Sequence, residues 1–202
     1  MRVVNRKSTP KVVSGEVRKK NNWAQSPDYF YAPKPRMIEV DRKRPRDGYR
    51  HVLTKADIYT FLELLPDWDE LAVGLHAIVL GRGSFGTDGY YFHRGIIEIC
   101  AWDESLWIEY HKDHYAEHRN IFERLNVECE KAGDTYYLCK FDEASARAYQ
   151  LLHILLHELG HHHDRMTTRR QKETGRGEKY AEEYALRYEP QIWSAYQKAF
   201  RF

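Results

Sequence analysis

Apolar residues at Ile58, Phe61, Leu62 and Leu65 recur at helical spacing, and Pro66 closes the run. Thr54 and Asp57 ahead of them suit a capping box, so a helix is predicted from about residue 55. The stretch LAVGLHAIVLG (71–81) is almost continuously apolar and predicts a buried strand. GRGSFGTDG then reads as a glycine-rich turn; no GK[ST] follows it, so it is not a phosphate loop. YYFHRGIIEICAWDE predicts one or two strands, with alternation at Ile97, Ile99 and Ala101. HYAEHRNIFERL reads as a helix and VECEKAGDTYYLCKF as a hairpin turning at KAGD. From Asp142 the period becomes helical through DEASARAYQLLHILLHELGHHHD, with Asp142 and Glu143 suited to the N-terminus. Residues 165–177 read as a basic, flexible connection. A last helix is predicted from Glu178 to Phe200, with a break expected at Pro190. Short strands mixed with helices, without an internal repeat, predict an α+β fold.

The first 48 residues differ from this pattern. They hold five of the seven prolines (Pro10, Pro27, Pro33, Pro35 and Pro45) and little apolar periodicity. Residues 1–50 carry 14 Lys+Arg against 5 Asp+Glu, whereas the rest carry 18 against 25, so a net charge of +2 conceals a basic end and an acidic body. Two segments are therefore expected: a basic, proline-containing arm (1–48) and one domain (49–202). RKRPR (42–46) suits contact with nucleic acid or an acidic partner; a solvated tail wrapped on the domain is the alternative reading. Trp23, Tyr29, Phe30 and Tyr31 favour anchoring part of the arm. No run approaches the roughly 20 apolar residues of a membrane span, and the N-terminus lacks the apolar stretch of a secretory signal. A cytoplasmic protein without a membrane partner is expected. Three cysteines (Cys100, Cys129, Cys139) without CxxC spacing argue against a disulfide framework or a cysteine–zinc site, and buried free thiols are expected.

The sharpest chemistry lies in LLHELGHHHDR (155–165). His157-Glu158-Leu159-Gly160-His161 is HExxH; at i and i+4 on a helix both imidazoles reach one ion. Neutral imidazole suits zinc, and Glu158 stands beside the metal, where it can take a proton from bound water. LLHILL ahead of the motif supplies an apolar face to seat the helix. A catalytic zinc normally has three protein ligands, and no histidine follows His163. The downstream candidates are Asp164, Glu173, Glu178, Glu182, Glu183 and Glu189. In EKYAEEYA (178–185), Glu178 and Glu182 share one helical face, so Glu178 can bind the ion while Glu182 orients a ligating histidine. His153 extends the stripe, but eight residues from His161 span about 12 Å, so it belongs to the core or behind the ligands. His162 and His163 turn away from the ligand face.

HELGH followed by ExxAxxYA resembles the gluzincins, especially the compact HExxH and ExxA(N/D)xFA arrangement of small ImmA/IrrE-like zincins. The resemblance covers roughly residues 142–200. It implies a zincin-like fold, with a small mixed or antiparallel sheet packed on the HExxH helix and on a second, ligand-bearing helix. It further implies zinc held by His157, His161 and Glu178, Glu158 as general base, and hydrolysis of a protein or peptide substrate by an endopeptidase. Glu182 stands where Asn or Asp is usual and Tyr184 where Phe is usual, which leaves Glu178, Glu182 and Glu183 open as the third ligand. Tyr184, Tyr188 and Arg187 are candidates to stabilise the oxyanion. GIIEICAWD (95–103) is the candidate edge strand for an extended peptide. The alternative is a nucleic-acid-associated or protein-binding zincin-fold module acting through the basic arm.

Overall fold

AIVL at residues 77–80 is buried on every side chain, the signature of a strand with neighbours on both edges and cover on both faces. It lies inside the main sheet of an α+β fold. The structure, a computed structural model, describes residues 11–13, 16–18, 38–168 and 175–202. Strands β1 (Lys11–Val13) and β2 (Glu16–Arg18) pair with each other. The anchoring proposed for Trp23, Tyr29, Phe30 and Tyr31, and most of the basic arm, lie outside the described residues. The end of that arm does not behave as a tail. Glu39–Arg42 forms β3, parallel to β5 (Ala77–Leu80), and Lys43 extends the attachment through an ion pair with Glu98 at 2.6 Å. The folded body therefore begins by Glu39 rather than at residue 49, and RKRPR is partly laid against the sheet.

After β4 (Tyr49–Arg50), Thr54 and Asp57 form the expected capping box at the start of α1 (Lys55–Leu62), which buries Ile58, Phe61 and Leu62. The 71–81 run is not one strand. Trp68–Leu71 is a single helical turn, α2, and Gly74 reverses the chain at φ 76°, leaving β5 its last four apolar residues. The main sheet is completed by β6 (Gly89–Phe92) and β7 (Ile96–Ile99), in the order β3-β5-β7-β6; β6 is antiparallel and forms one edge. Ile78, Leu80, Ile97 and Ile99 face the large core, while Ala77, Val79 and Ile96 cluster with Phe92 on the opposite face.

Strand β8 (Trp102–Asp103) pairs with β4. Strand β9 (Trp107–His111) leads into α3 (Lys112–Arg124), and β10 (Glu128–Ala132) with β11 (Tyr136–Lys140) forms the expected hairpin, ordered β10-β11-β9. Cys129 and Cys139 sit directly opposite in its register, Cα–Cα 4.1 Å, and are disulfide-bonded, contrary to the expectation of free thiols. The turn at KAGD makes them neighbours, which spacing rules for cysteine frameworks do not capture. Cys100 is free and buried, and burial pushes its thiol up to about 12.

Asp142 caps α4 (Glu143–Tyr149) in a box with Ser145. The helix continues as a π-helical segment (Gln150–Leu155) into α5 (Leu156–Thr167). The final helix, α6 (Gly177–Phe200), runs through Pro190 without the expected break. Tyr188, Glu189 and Ile192 are buried around the proline, so packing holds the helix on both sides of it. The carbonyl of Leu186, deprived of its helical donor, belongs to a residue that is 41% exposed. Among the described residues no helix is long and apolar enough to cross a membrane.

Candidate metal centre

Helices α5 and α6 approach closely because Gly160 has no side chain. A Cβ there would lie 2.8 Å from Ala181 Cα and 3.0 Å from its carbonyl oxygen. A second device fixes the start of α6. The fully buried carboxylate of Asp164 accepts from the backbone N–H of Arg176 at 2.7 Å and of Gly177 at 3.0 Å, and from Arg176 Nε at 2.8 Å. Burial pushes this carboxyl up, but the bonds from Arg176 and Gly177 outweigh it and hold its pKa below the ordinary range. The next residue is Glu178. Its Oε2 lies 3.2 Å from His157 Nε2 and 3.4 Å from His161 Nε2.

Those separations fit a shared ion. Zinc bonds of about 2.0–2.1 Å in a tetrahedron set donor–donor edges of about 3.3–3.4 Å. The protons point the same way. Glu182 Oε2 lies 3.1 Å from His157 Nδ1; with Nδ1–H donating to that carboxylate, Nε2 presents a lone pair to another carboxylate oxygen, Glu178 Oε2. Two acceptors face each other, an arrangement relieved by a cation. The two imidazoles meet edge-on, 4.9 Å between centroids at 78°, so their lone pairs converge from different directions.

Glu158 lies beside this triad, 5% exposed. Burial pushes its carboxyl up to about 7, His157 pulls it down and Glu178 raises it further. Its Oε2 is buried without a hydrogen-bond partner, while Oε1 rests against Gly89 of β6, where a Cβ would come within 2.7 Å. An unsatisfied buried oxygen at a cleft wall is costly. The cleft, about 790 Å³, runs between β6, α3, α5 and the start of α6.

At its inner end three further side chains converge: His118 of α3, His153 of the π-helical segment and Glu182 of α6. His118 Nε2 is 3.4 Å from Glu182 Oε1 and His153 Nε2 is 3.6 Å from Glu182 Oε2. Burial holds His153 down to about 3. Burial opposes charge on Glu182 as well, but His118, His157 and His153 outweigh it and hold its pKa far below the ordinary range.

The remaining sequence candidates do not join the triad. Glu183 lines the cleft but lies 3.8 Å from Lys179 on α6 and outside the converging donors, Glu189 pairs with Arg124, and Glu173 lies outside the described residues. Tyr184 and Tyr188 do not line the cleft. They are buried against each other at 5.4 Å, with His163 tilted against Tyr184 at 5.3 Å, because α6 turns that face toward the core. Arg187 lies over the Tyr184 ring, 5.8 Å from its centroid. The residues proposed for the oxyanion are thus displaced from the site. His162 is buried, near Tyr91 Oη at 3.2 Å and the Val73 carbonyl at 3.0 Å; His163 contacts Tyr180 Oη at 2.7 Å. GIIEICAWD is not the edge either, since β7 is flanked on both sides and β6 fronts the cleft.

Sequence reasoning missed Tyr91, whose ring stacks on His161 at 6.4 Å while Arg165 donates to its hydroxyl at 2.7 Å. It also missed His114 and His118, although they repeat the i, i+4 spacing of the HExxH histidines and were legible by that signal. No family model, no curated protein and no solved structure matches this chain.

Proposed function

We propose that this chain is a zinc-dependent peptidase of zincin-like architecture, with His157, His161 and Glu178 as ligands and Glu158 as general base. The observation that carries the reading is the convergence of two imidazole lone pairs and one carboxylate oxygen at tetrahedral spacing, beside a buried carboxylate with an orphaned oxygen. When bound, zinc supplies Lewis acidity, bringing the pKa of a water toward about 7 and polarising a carbonyl. Glu158 would accept a proton from the attacking water and return it to the leaving nitrogen, its buried and otherwise unpartnered Oε2 being the atom that receives it. Glu182 fixes the tautomer of His157 and the ring's direction. Asp164 and Gly160 position Glu178.

The substrate class follows from the sheet. The unpaired side of β6 faces the cleft and offers backbone groups to an extended peptide by strand addition. Tyr90 of β6 lines the cleft and gives such a peptide an aromatic neighbour.

The test pairs zinc-loaded wild type with Glu158→Gln in a peptide-library cleavage assay and measures zinc in both. The amide keeps the volume and removes the base, so turnover falls by about 10²–10⁴-fold while zinc content is retained. Equal cleavage by the two proteins would remove Glu158 from the chemistry and the reading with it.

A further inference from the structure

We propose that His118, His153 and Glu182 form a second site for a transition-metal dication, distinct from the HExxH centre and able to hold zinc. The inference does not depend on peptidase activity. His118 Nδ1 lies 2.8 Å from the backbone carbonyl of His114. A carbonyl only accepts, so Nδ1 carries the proton and Nε2 is the nitrogen left to take an ion. It faces Glu182 Oε1 at 3.4 Å, and this oxygen is buried without a hydrogen-bond partner. His153 Nε2 faces the other oxygen of the same carboxylate at 3.6 Å. The donor atoms lie within 4.8 Å of one another.

The cluster resembles the first site in spacing, although both imidazoles there face one oxygen of Glu178 and each here faces a different oxygen of Glu182. There the carboxylate-to-imidazole distances are 3.2 and 3.4 Å and the rings cross at 78°, 4.9 Å apart. Here they are 3.4 and 3.6 Å, and the rings cross at 86°, 4.4 Å apart. Both sets lie close to the donor–donor edge of about 3.3–3.4 Å that tetrahedral zinc requires. The donors come from three elements, α3, the π-helical segment and α6. An ion there would cross-link them and set a fixed positive charge against the buried end of the Glu182 carboxylate. Glu182 joins the two centres: one oxygen accepts from His157 Nδ1 and the other is directed at His118.

The measurement is zinc stoichiometry. Full-length protein is stripped with chelator, reloaded with Zn²⁺, desalted and assayed for metal per chain. Wild type is expected to retain two zinc ions. His118→Asn keeps a side-chain N–H for the His114 carbonyl and removes the ligand nitrogen; it should retain one, as should His153→Asn. His157→Asn with His161→Asn should also retain one, held by the inner cluster. One zinc in wild type that both inner-cluster variants retain, or two in both of those variants, overturns the proposal. Loss of the outer ion alone would count against the HExxH centre and leave the inner site standing. Should the inner variants fail to fold, Co²⁺ titration of the stripped His157→Asn/His161→Asn protein decides: a visible absorption band that saturates at one equivalent supports the inner site, and the absence of a band refutes it.

Discussion

Asp164→Ala should loosen the metal centre without touching a ligand. The carboxylate accepts two backbone N–H groups and one guanidinium nitrogen, and is itself fully buried. Hydrogen bonds to an ionised group are worth about 1.5–3 kcal/mol each, but these three are not additive. Arg176 has 45% of its side chain exposed, so solvent screens its share of the ion pair. The two backbone bonds act as a helix cap, worth about 0.5–2 kcal/mol. A total loss of about 2–4 kcal/mol is expected, which for a chain of this size lowers Tm by roughly 5–15 °C. With α6 no longer pinned, Glu178 loses its fixed position against His157 and His161, and zinc affinity should fall by about 10–100-fold, as for other groups that orient ligands. Chelator competition reads the affinity; thermal melting in excess chelator reads the stability separately. Unchanged zinc affinity in a folded Asp164→Ala protein would refute the claim that this clamp positions Glu178. The pH dependence has a definite sign. The folded-state pKa of Asp164 is depressed, so its contribution is fully present above the unfolded carboxyl value of about 3.9. It is lost as pH falls through the folded value, and Asp164→Ala should flatten stability against pH only in that acid window.

Two further changes test separate parts of the frame. Gly160→Ala would improve helix propensity by about 1 kcal/mol in isolation, yet the added methyl meets the Ala181 backbone; overpacking of about 1–3 kcal/mol should dominate. Melting temperature and zinc affinity should both fall, and a more stable variant with intact affinity would show that the close approach of α5 and α6 is not needed. Asp142→Ala removes the cap of α4 and should cost about 1 kcal/mol by denaturant titration with zinc content unchanged, because Asp142 acts at the far end of the helical run from His157.

The parts of the fold that depend on local chemistry were legible in the sequence. The Thr54 and Asp142 caps, the KAGD hairpin and the helix carrying HExxH each follow from residues within a few positions of one another. Glu178 was legible because it shares a face with Glu182 at the start of a helix, although only the fold brings Glu178 against His157. What escaped was set by long-range contact. Residues 39–42 read as tail because their pattern is too short and too charged, whereas parallel pairing with β5 makes them a strand. Tyr184 and Tyr188 looked suitable for an oxyanion from helical position alone, but the rotation of α6 against α5 decides which face sees the cleft. His118 is separated from His153 by three elements of chain, so nothing local joins them.

The π-helical segment Gln150–Leu155 sits between α4 and the HExxH helix. Such a turn accommodates one residue more than an α-turn. Removing a single residue there would restore a regular helix with α4 and α5 in nearly the same rotational register, because the wide turn already absorbs the extra residue. What such a deletion would move is His153, which lies inside the wide turn. The rod and the facing of its two ends would survive, while the one imidazole that the segment itself carries would lose its place against Glu182.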